Sequence, residues 1–191
     1  MAGTVELDGR RQRAADSRAR IVRAMLKLIA EGDVTPGAEQ VAARAEVGLR
    51  TVFRHFKDMD SLYREMAEVM EREIRKGAAL PLTSPDWKGK LAEFVDRRSF
   101  AFERLGPFKQ AQDVHRHRSE ALARNSARLA EELRTVLKRE MPPEVVSDVT
   151  LFESLDLLLS FEAWSRLRRD QGLGIDEAKA VLKSALAKIA G

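Results

Sequence analysis

The stretch Arg50-Thr51-Val52-Phe53-Arg54-His55-Phe56, RTVFRHF, is separated by Leu49 alone from EQVAARAEVG at 39–48. Four of its seven side chains are polar or cationic and the other three are bulky and apolar. A short helix of this composition anchors itself through Val52 and Phe53 or Phe56, and turns Arg50, Thr51, Arg54 and His55 outward. In the preceding segment Val41, Ala42 and Ala45 share one helical face, and Val47-Gly48 interrupts the pattern. Two short helices, over about 38–45 and 49–55, joined by a tight turn, give the layout of a helix-turn-helix. Such a unit needs one shared apolar core, for which Val41, Ala45, Val47, Val52 and Phe56 are the candidates. Its second helix then offers its remaining residues to a major groove.

The surrounding chain supports this layout. Residues 1–15 are polar and Arg-rich, and predict a flexible basic arm whose Arg10, Arg11 and Arg13 are candidates for a minor groove. Asp16 and Ser17 are N-cap candidates for a helix buried through Ile21, Met25 and Leu28, which Gly32 should stop. Asp58 can cap a further helix carrying Leu62, Met66, Val69 and Met70 to about Gly77, and Pro81 and Pro85 mark a linker. Beyond it, helices are expected at about 87–104, 108–115, 117–140, 144–170 and 176–190, with breaks at Pro107, Pro142-Pro143, Gly172 and Gly174. No alternating strand pattern and no repeat is found. The reading is an all-α chain of about nine helices: an arm at 1–15, a helix-turn-helix domain at 16–78 and a helical regulatory and dimerisation domain at 87–191.

Composition narrows the function. The 191 residues are 44% hydrophobic and 34% charged, enough for a substantial core. The absence of Cys excludes thiol catalysis, disulfides and Cys-type zinc sites. The opening MAGTVELDGRRQR has no apolar h-region, and even the most apolar segment, LDLLLSFEAW, contains Asp156 and Glu162, so a cytoplasmic protein is expected. The net charge is +4, but the span from Arg10 to Lys57 carries eleven Lys and Arg against five acids, leaving the remainder slightly acidic. That asymmetry suits a nucleic-acid binder, with a merely solvated basic face as the alternative.

The segments RIVRAMLKLIAEGD and EQVAARAEVGLRTVFRHFKDMDSLYREM, within residues 18–70, resemble the TetR family of bacterial one-component transcriptional regulators. Spacing and residue type agree over four consecutive helices. The resemblance implies that Leu49, Arg50 and Thr51, just after Gly48, begin the recognition helix and meet base edges and phosphates. Phe53 takes the place of a Tyr that often touches the backbone, His55 stands near a phosphate, Phe56 is the buried aromatic, and Arg44 and Arg54 reach the backbone. Three departures stand out. Glu46 replaces the usual Gly, which costs about 1 kcal/mol at a positive-φ helix end, and Gly48 replaces Ser or Thr. Phe53 lacks the phenol hydroxyl. Met59 stands where a Lys is common, with Lys57 two residues earlier as its substitute.

The LDLLLSFEAWSRLRRDQG and DEAKAVLKSALAKI segments resemble the family's two C-terminal dimerisation helices. The apolar residues of 149–164 point in nearly every direction around one helix, which asks for burial on two sides. A homodimer on a pseudo-palindromic DNA site follows, and a monomer with a deeply buried helix is the alternative. Arg98 lies on the stripe of Leu91, Val95, Phe102 and Leu105, and Asp156 between Phe152 and Leu159. These two are read either as a structural ion pair, as side chains reaching outward, or as polar anchors of a ligand cavity, with Phe102, Gln112, His115 and Trp164 as further ligand candidates. Phe100 and Phe108 read as core. His115 and His117, two apart on a helix, point about 200° from each other, and Asp113 with His117 gives only two ligands, so no metal and no cofactor are expected. No catalytic motif is found and no enzyme is expected. The resemblance implies a repressor released by a small-molecule effector. A ligand-free DNA-binding protein, controlled by a protein partner or acting architecturally, is the alternative.

Overall fold

A computed structural model describes residues 3–116 and 120–191. Among them there is no strand. The helices are α1 (Gly3–Ala30), α2 (Ala38–Arg44), α3 (Leu49–His55), α4 (Met59–Ala78), α5 (Trp87–Arg116), α6 (Glu120–Glu140), α7 (Pro143–Ser147), α8 (Val149–Leu158), α9 (Phe161–Ser165) and α10 (Ile175–Ile189), with a π-helical turn at Arg166–Asp170. None of the described helices is long and apolar enough to cross a membrane. The chain forms two compact units, Met1–Met70 with Pro107–Arg124, and Glu71–Gly106 with Asn125–Gly191.

The first unit is built on the expected pattern. Ile21, Met25 and Ile29 of α1, Val41 of α2, Val52 and Phe56, and Leu62 and Met66 of α4 close one core. The chain leaves α1 through Gly32 at φ 103°, where Asp33 N–H reaches the Leu28 carbonyl and Gly32 N–H that of Ile29. This is the Schellman closure, which satisfies the orphan carbonyls of the last turn. Asp58 caps α4: its carboxylate accepts from Ser61 N–H at 2.7 Å.

Three features differ from the sequence reading. Where a flexible arm is expected at 1–15, α1 already begins at Gly3, and Gln12 bonds Asp16 one turn along at 2.9 Å. Gly3 and Gly9 lower helix propensity without forbidding the helix. Pro107 does not end a helix but lies inside α5. Packing on both sides of it, through Phe102 before and Phe108 and Ala111 after, outweighs the lost N–H. Ala111 sits in the first unit's core, so that unit recruits a segment assigned by sequence to the second.

The third difference is the expected 144–170 helix, which is divided. Asp148 accepts from Leu151 N–H at 2.9 Å and starts α8, and Ser160 accepts from Ala163 N–H at 3.1 Å and starts α9. Short polar side chains compete in this way with the helical ladder. In an unbroken helix Ala163 N–H would have gone to the Leu159 carbonyl. That carbonyl instead accepts from Arg98 Nη1 at 2.8 Å. The second core gathers Leu91, Phe94 and Val95 of α5, Leu137 of α6, Phe152 and Leu155 of α8, Trp164, and Leu182 and Leu186 of α10. Phe100, expected in a core, is exposed on α5 beneath the Arg104 guanidinium.

The turn between α2 and α3 repeats the Schellman closure with a strained residue. Val47 N–H reaches the Ala42 carbonyl, Glu46 N–H reaches that of Ala43, and Glu46 has φ 55°. The turn closes tightly, and Glu46 carries a left-handed conformation that favours Gly. Glu46→Gly is expected to raise the unfolding free energy by about 1 kcal/mol, net of the glycine's larger unfolded-state entropy, read as a higher urea midpoint.

Candidate nucleic-acid interface

Seven residues are too few to hold a helix in water, so α3 takes its orientation from its neighbours. At its start the closed turn ends at Gly48, in extended conformation. Beneath it Val52 and Phe56 are almost fully buried. Phe56, not Phe53, is the aromatic anchor, and Phe53 stands 46% exposed. At its end Arg18 of α1 donates from Nη1 to the His55 carbonyl at 2.6 Å. The same guanidinium pairs through Nε with both Glu65 oxygens, at 3.0 and 2.9 Å, and lies 4.3 Å over the Phe56 ring. Arg18 thereby ties α1 and α4 to the last turn of α3. Its partners are 37 to 47 residues away in sequence, so no local pattern marks it.

The outward surface holds Leu49, Arg50, Phe53 and Arg54 of α3, with Gly48 before and Lys57 after, all exposed. Thr51 is half-buried. Arg50, Arg54 and Lys57 have no ion pair among the described residues, so three cations around this short helix are free to meet an external anion. Arg44 is different: its guanidinium is forked onto Glu31, with distances of 2.7 and 2.6 Å. It belongs to the same module, but an acid already occupies it. Arg11 and Arg13 are exposed on α1, while the Arg10 side chain lies outside the described residues.

His55, which the resemblance places near a phosphate, is half-exposed at the end of α3. Its Nε2 is buried and has no hydrogen-bond partner among the described residues. Burial, then the charges of Arg54 and Arg18, hold its pKa below the usual 6.5. With Nε2 covered, the half-exposed ring does not offer that atom to an external phosphate.

In the second unit the sequence-based ligand candidates are satisfied by protein partners. Arg98 is buried against Phe94 and donates to the carbonyls of Leu159 and Leu133, at 2.8 and 2.9 Å. Burial lowers its pKa to about 10, which the charge of Asp156 partly offsets. Asp156 itself pairs with Arg134 at 3.0 Å rather than with Arg98. Trp164 donates from Nε1 to Glu103 at 2.9 Å, and Arg168 pairs with the same carboxylate. Phe102 stands edge-on to Phe161. The side chains of Gln112 and His115, and the Asp113–His117 pair, lie outside the described residues. Two cavities open on this unit, of about 150 and 180 Å³. The first lies between α4 and α6, with Ile74, Ala78, Leu129 and Leu133 as walls and the Arg75–Glu132 pair at 2.6 Å beside it. Neither is lined by Arg98, Phe102, Asp156 or Trp164.

The depressed pKa of His55 makes a pH prediction. Below its ordinary value of 6.5 the unfolded chain takes up a proton that the folded imidazole resists. Its contribution to stability is therefore full above that value and drains away as pH falls. Between about pH 7.5 and about pH 5.5 the melting temperature of the wild type should fall by more than that of His55→Gln.

No family model and no curated protein matches the sequence. Solved structures do, and 19 chains match. A candidate TetR-family transcriptional regulator from Rhodococcus sp. superposes with a TM-score of 0.71 at 14% identity, over 92% of this chain and 100% of that one. A candidate transcriptional regulator from Streptomyces coelicolor A3(2) gives 0.66 at 24% identity, over 91% and 97%. The multidrug binding protein EbrR, complexed with imidazole, gives 0.60 at 19% identity, over 87% and 93%. With the closed α2–α3 turn and the buried anchors of α3, these likenesses establish that the chain has the all-α fold of the TetR-family transcriptional regulators.

Proposed function

We propose that the protein is a cytoplasmic, homodimeric, sequence-specific DNA-binding regulator, a repressor released from a pseudo-palindromic operator by a small-molecule effector. The observation that carries this reading is the outer face of α3, where Arg50 and Arg54, with Lys57 just after, stand exposed with no ion pair among the described residues, on a helix fixed at both ends. A rigid short helix with free cations can enter a major groove and keep its register there. The names of the superposed regulators agree with it.

Dimerisation is supported by α8 and α10, which leave Val149, Leu157 and Val181 exposed after packing into the second core. Two copies joined there would present two copies of α3 to one duplex. The effector reading is supported by the α4–α6 cavity, which is apolar on its walls and charged at its rim. A molecule binding one arrangement of these helices better than another would shift the protein between operator-competent and operator-incompetent states.

The decisive experiment is selection of bound duplexes from random DNA at about 150 mM salt. An inverted repeat is the expected product, and recovery of no motif from folded protein would overturn the reading. On the selected site Arg50→Ala should weaken binding about ten- to a hundredfold and relax specificity at one position. Arg54→Ala should instead weaken all sequences alike and reduce the salt slope by about 1. Glu31→Ala should release Arg44 and raise that slope by about 1, seen as tighter binding at low salt.

A further inference from the structure

We propose that Leu49 and Phe53 form an apolar ridge that reads the 5-methyl groups of thymine in the major groove, a deepening that rests on the DNA-binding reading above. Leu49 is 39% exposed and Phe53 46%, and they stand one turn apart on the same face of α3. Neither is needed to anchor the helix, because Val52 and Phe56 do that from the buried side. Arg50 and Arg54, also one turn apart, make a parallel cationic ridge beside them. The helix therefore shows two adjoining stripes, one cationic and one apolar.

The cationic stripe commits the apolar one to its occupant. Arg50, Arg54 and the nearby Lys57 have no ion pair among the described residues, so what covers this face is anionic. Double-stranded DNA is dense in charge, yet each A·T pair shows one apolar group in its major groove, the thymine C5-methyl. A leucine and a phenylalanine projecting between arginines match that mixture. Phe53, without a hydroxyl, cannot donate to a phosphate, which leaves its ring edge and face as the only contact surface. The half-site should therefore contain thymines, on either strand, at positions spaced to meet these two side chains.

The test uses the full chain and the operator recovered by selection. Each thymine of a half-site is replaced by uracil, which removes the methyl and keeps every base-pair hydrogen bond. Affinity is measured by fluorescence anisotropy for the wild type, Leu49→Ala, Phe53→Ala and the conservative Phe53→Leu. Uracil at one or two positions should weaken wild-type binding about three- to fivefold per methyl. Leu49→Ala or Phe53→Ala should bind the corresponding thymine and uracil duplexes alike, and Phe53→Leu should retain part of the discrimination. Both positions are exposed, and unchanged melting temperatures would verify that the variants fold. Equal wild-type affinity for thymine and uracil operators would overturn the proposal while leaving sequence-specific binding intact. So would loss of affinity in Phe53→Ala with discrimination unchanged, which would place the ring against sugar or backbone. Variants that bind as tightly as the wild type would show that the ridge does not contact DNA, and overturn it too. Failure to recover any operator would instead sink the regulator reading itself.

Discussion

The guanidinium of Arg18 is where three helices of the first unit are made to agree. It is forked onto Glu65 of α4, lies over the Phe56 ring and ends the hydrogen-bond ladder of α3 at the His55 carbonyl. An isolated ion pair at such partial exposure contributes little to stability. The value here lies in geometry: the planar fork fixes the relative rotation of its partners in a way that a lysine could not. α3 has no stability of its own to fall back on, so the direction of Leu49, Arg50, Phe53 and Arg54 depends on this clamp at one end and the closed turn at the other.

The two ends are secured by opposite means. Arg18 contributes favourable contacts, whereas Glu46 holds a left-handed backbone against its preference. Strain of that kind persists only where surrounding structure over-determines it. Here the Schellman hydrogen bonds and Val47, packed against the core, hold it in place. Electrostatics around α3 are graded as well. Arg50, Arg54 and Lys57 are available, Arg44 is occupied by Glu31, and His55 has its Nε2 covered and its pKa held below the ordinary value.

Much of the first unit was legible because its signals are local. Val41, Ala45, Val52 and Phe56 recur at helical spacing, Gly32 marks a helix end, and Asp58 is followed three residues later by the Ser61 that it caps. Phe56, four residues after Val52, shares its face and belongs with the core candidates, whereas Phe53 at the next position points about 100° away. Arg18 was missed because a lone arginine on an amphipathic helix carries no mark of a partner 47 residues on. In the second unit, Asp148 and Ser160 sit inside an apolar run whose continuity outweighed their capping chemistry. Arg98 and Asp156 were both picked out as unusual, yet their partners, two carbonyls and Arg134, are set by tertiary packing. The ligand candidates suffer from the same cause: apolar periodicity identifies what is buried but not what is left open.

The α8–α9 junction carries a mechanical consequence. Ser160 has taken the N–H of Ala163, and Arg98 has taken the carbonyl of Leu159 that this N–H would otherwise have met. Straightening α8 and α9 into one helix would make Arg98 share the Leu159 carbonyl with the ladder, leaving the Leu133 carbonyl as its one undivided acceptor and weakening the hold on a buried cation. The bent corner is therefore favoured over a straight one. A change of packing in the second unit is therefore resisted at this corner and passes more readily into small displacements of the helices on either side.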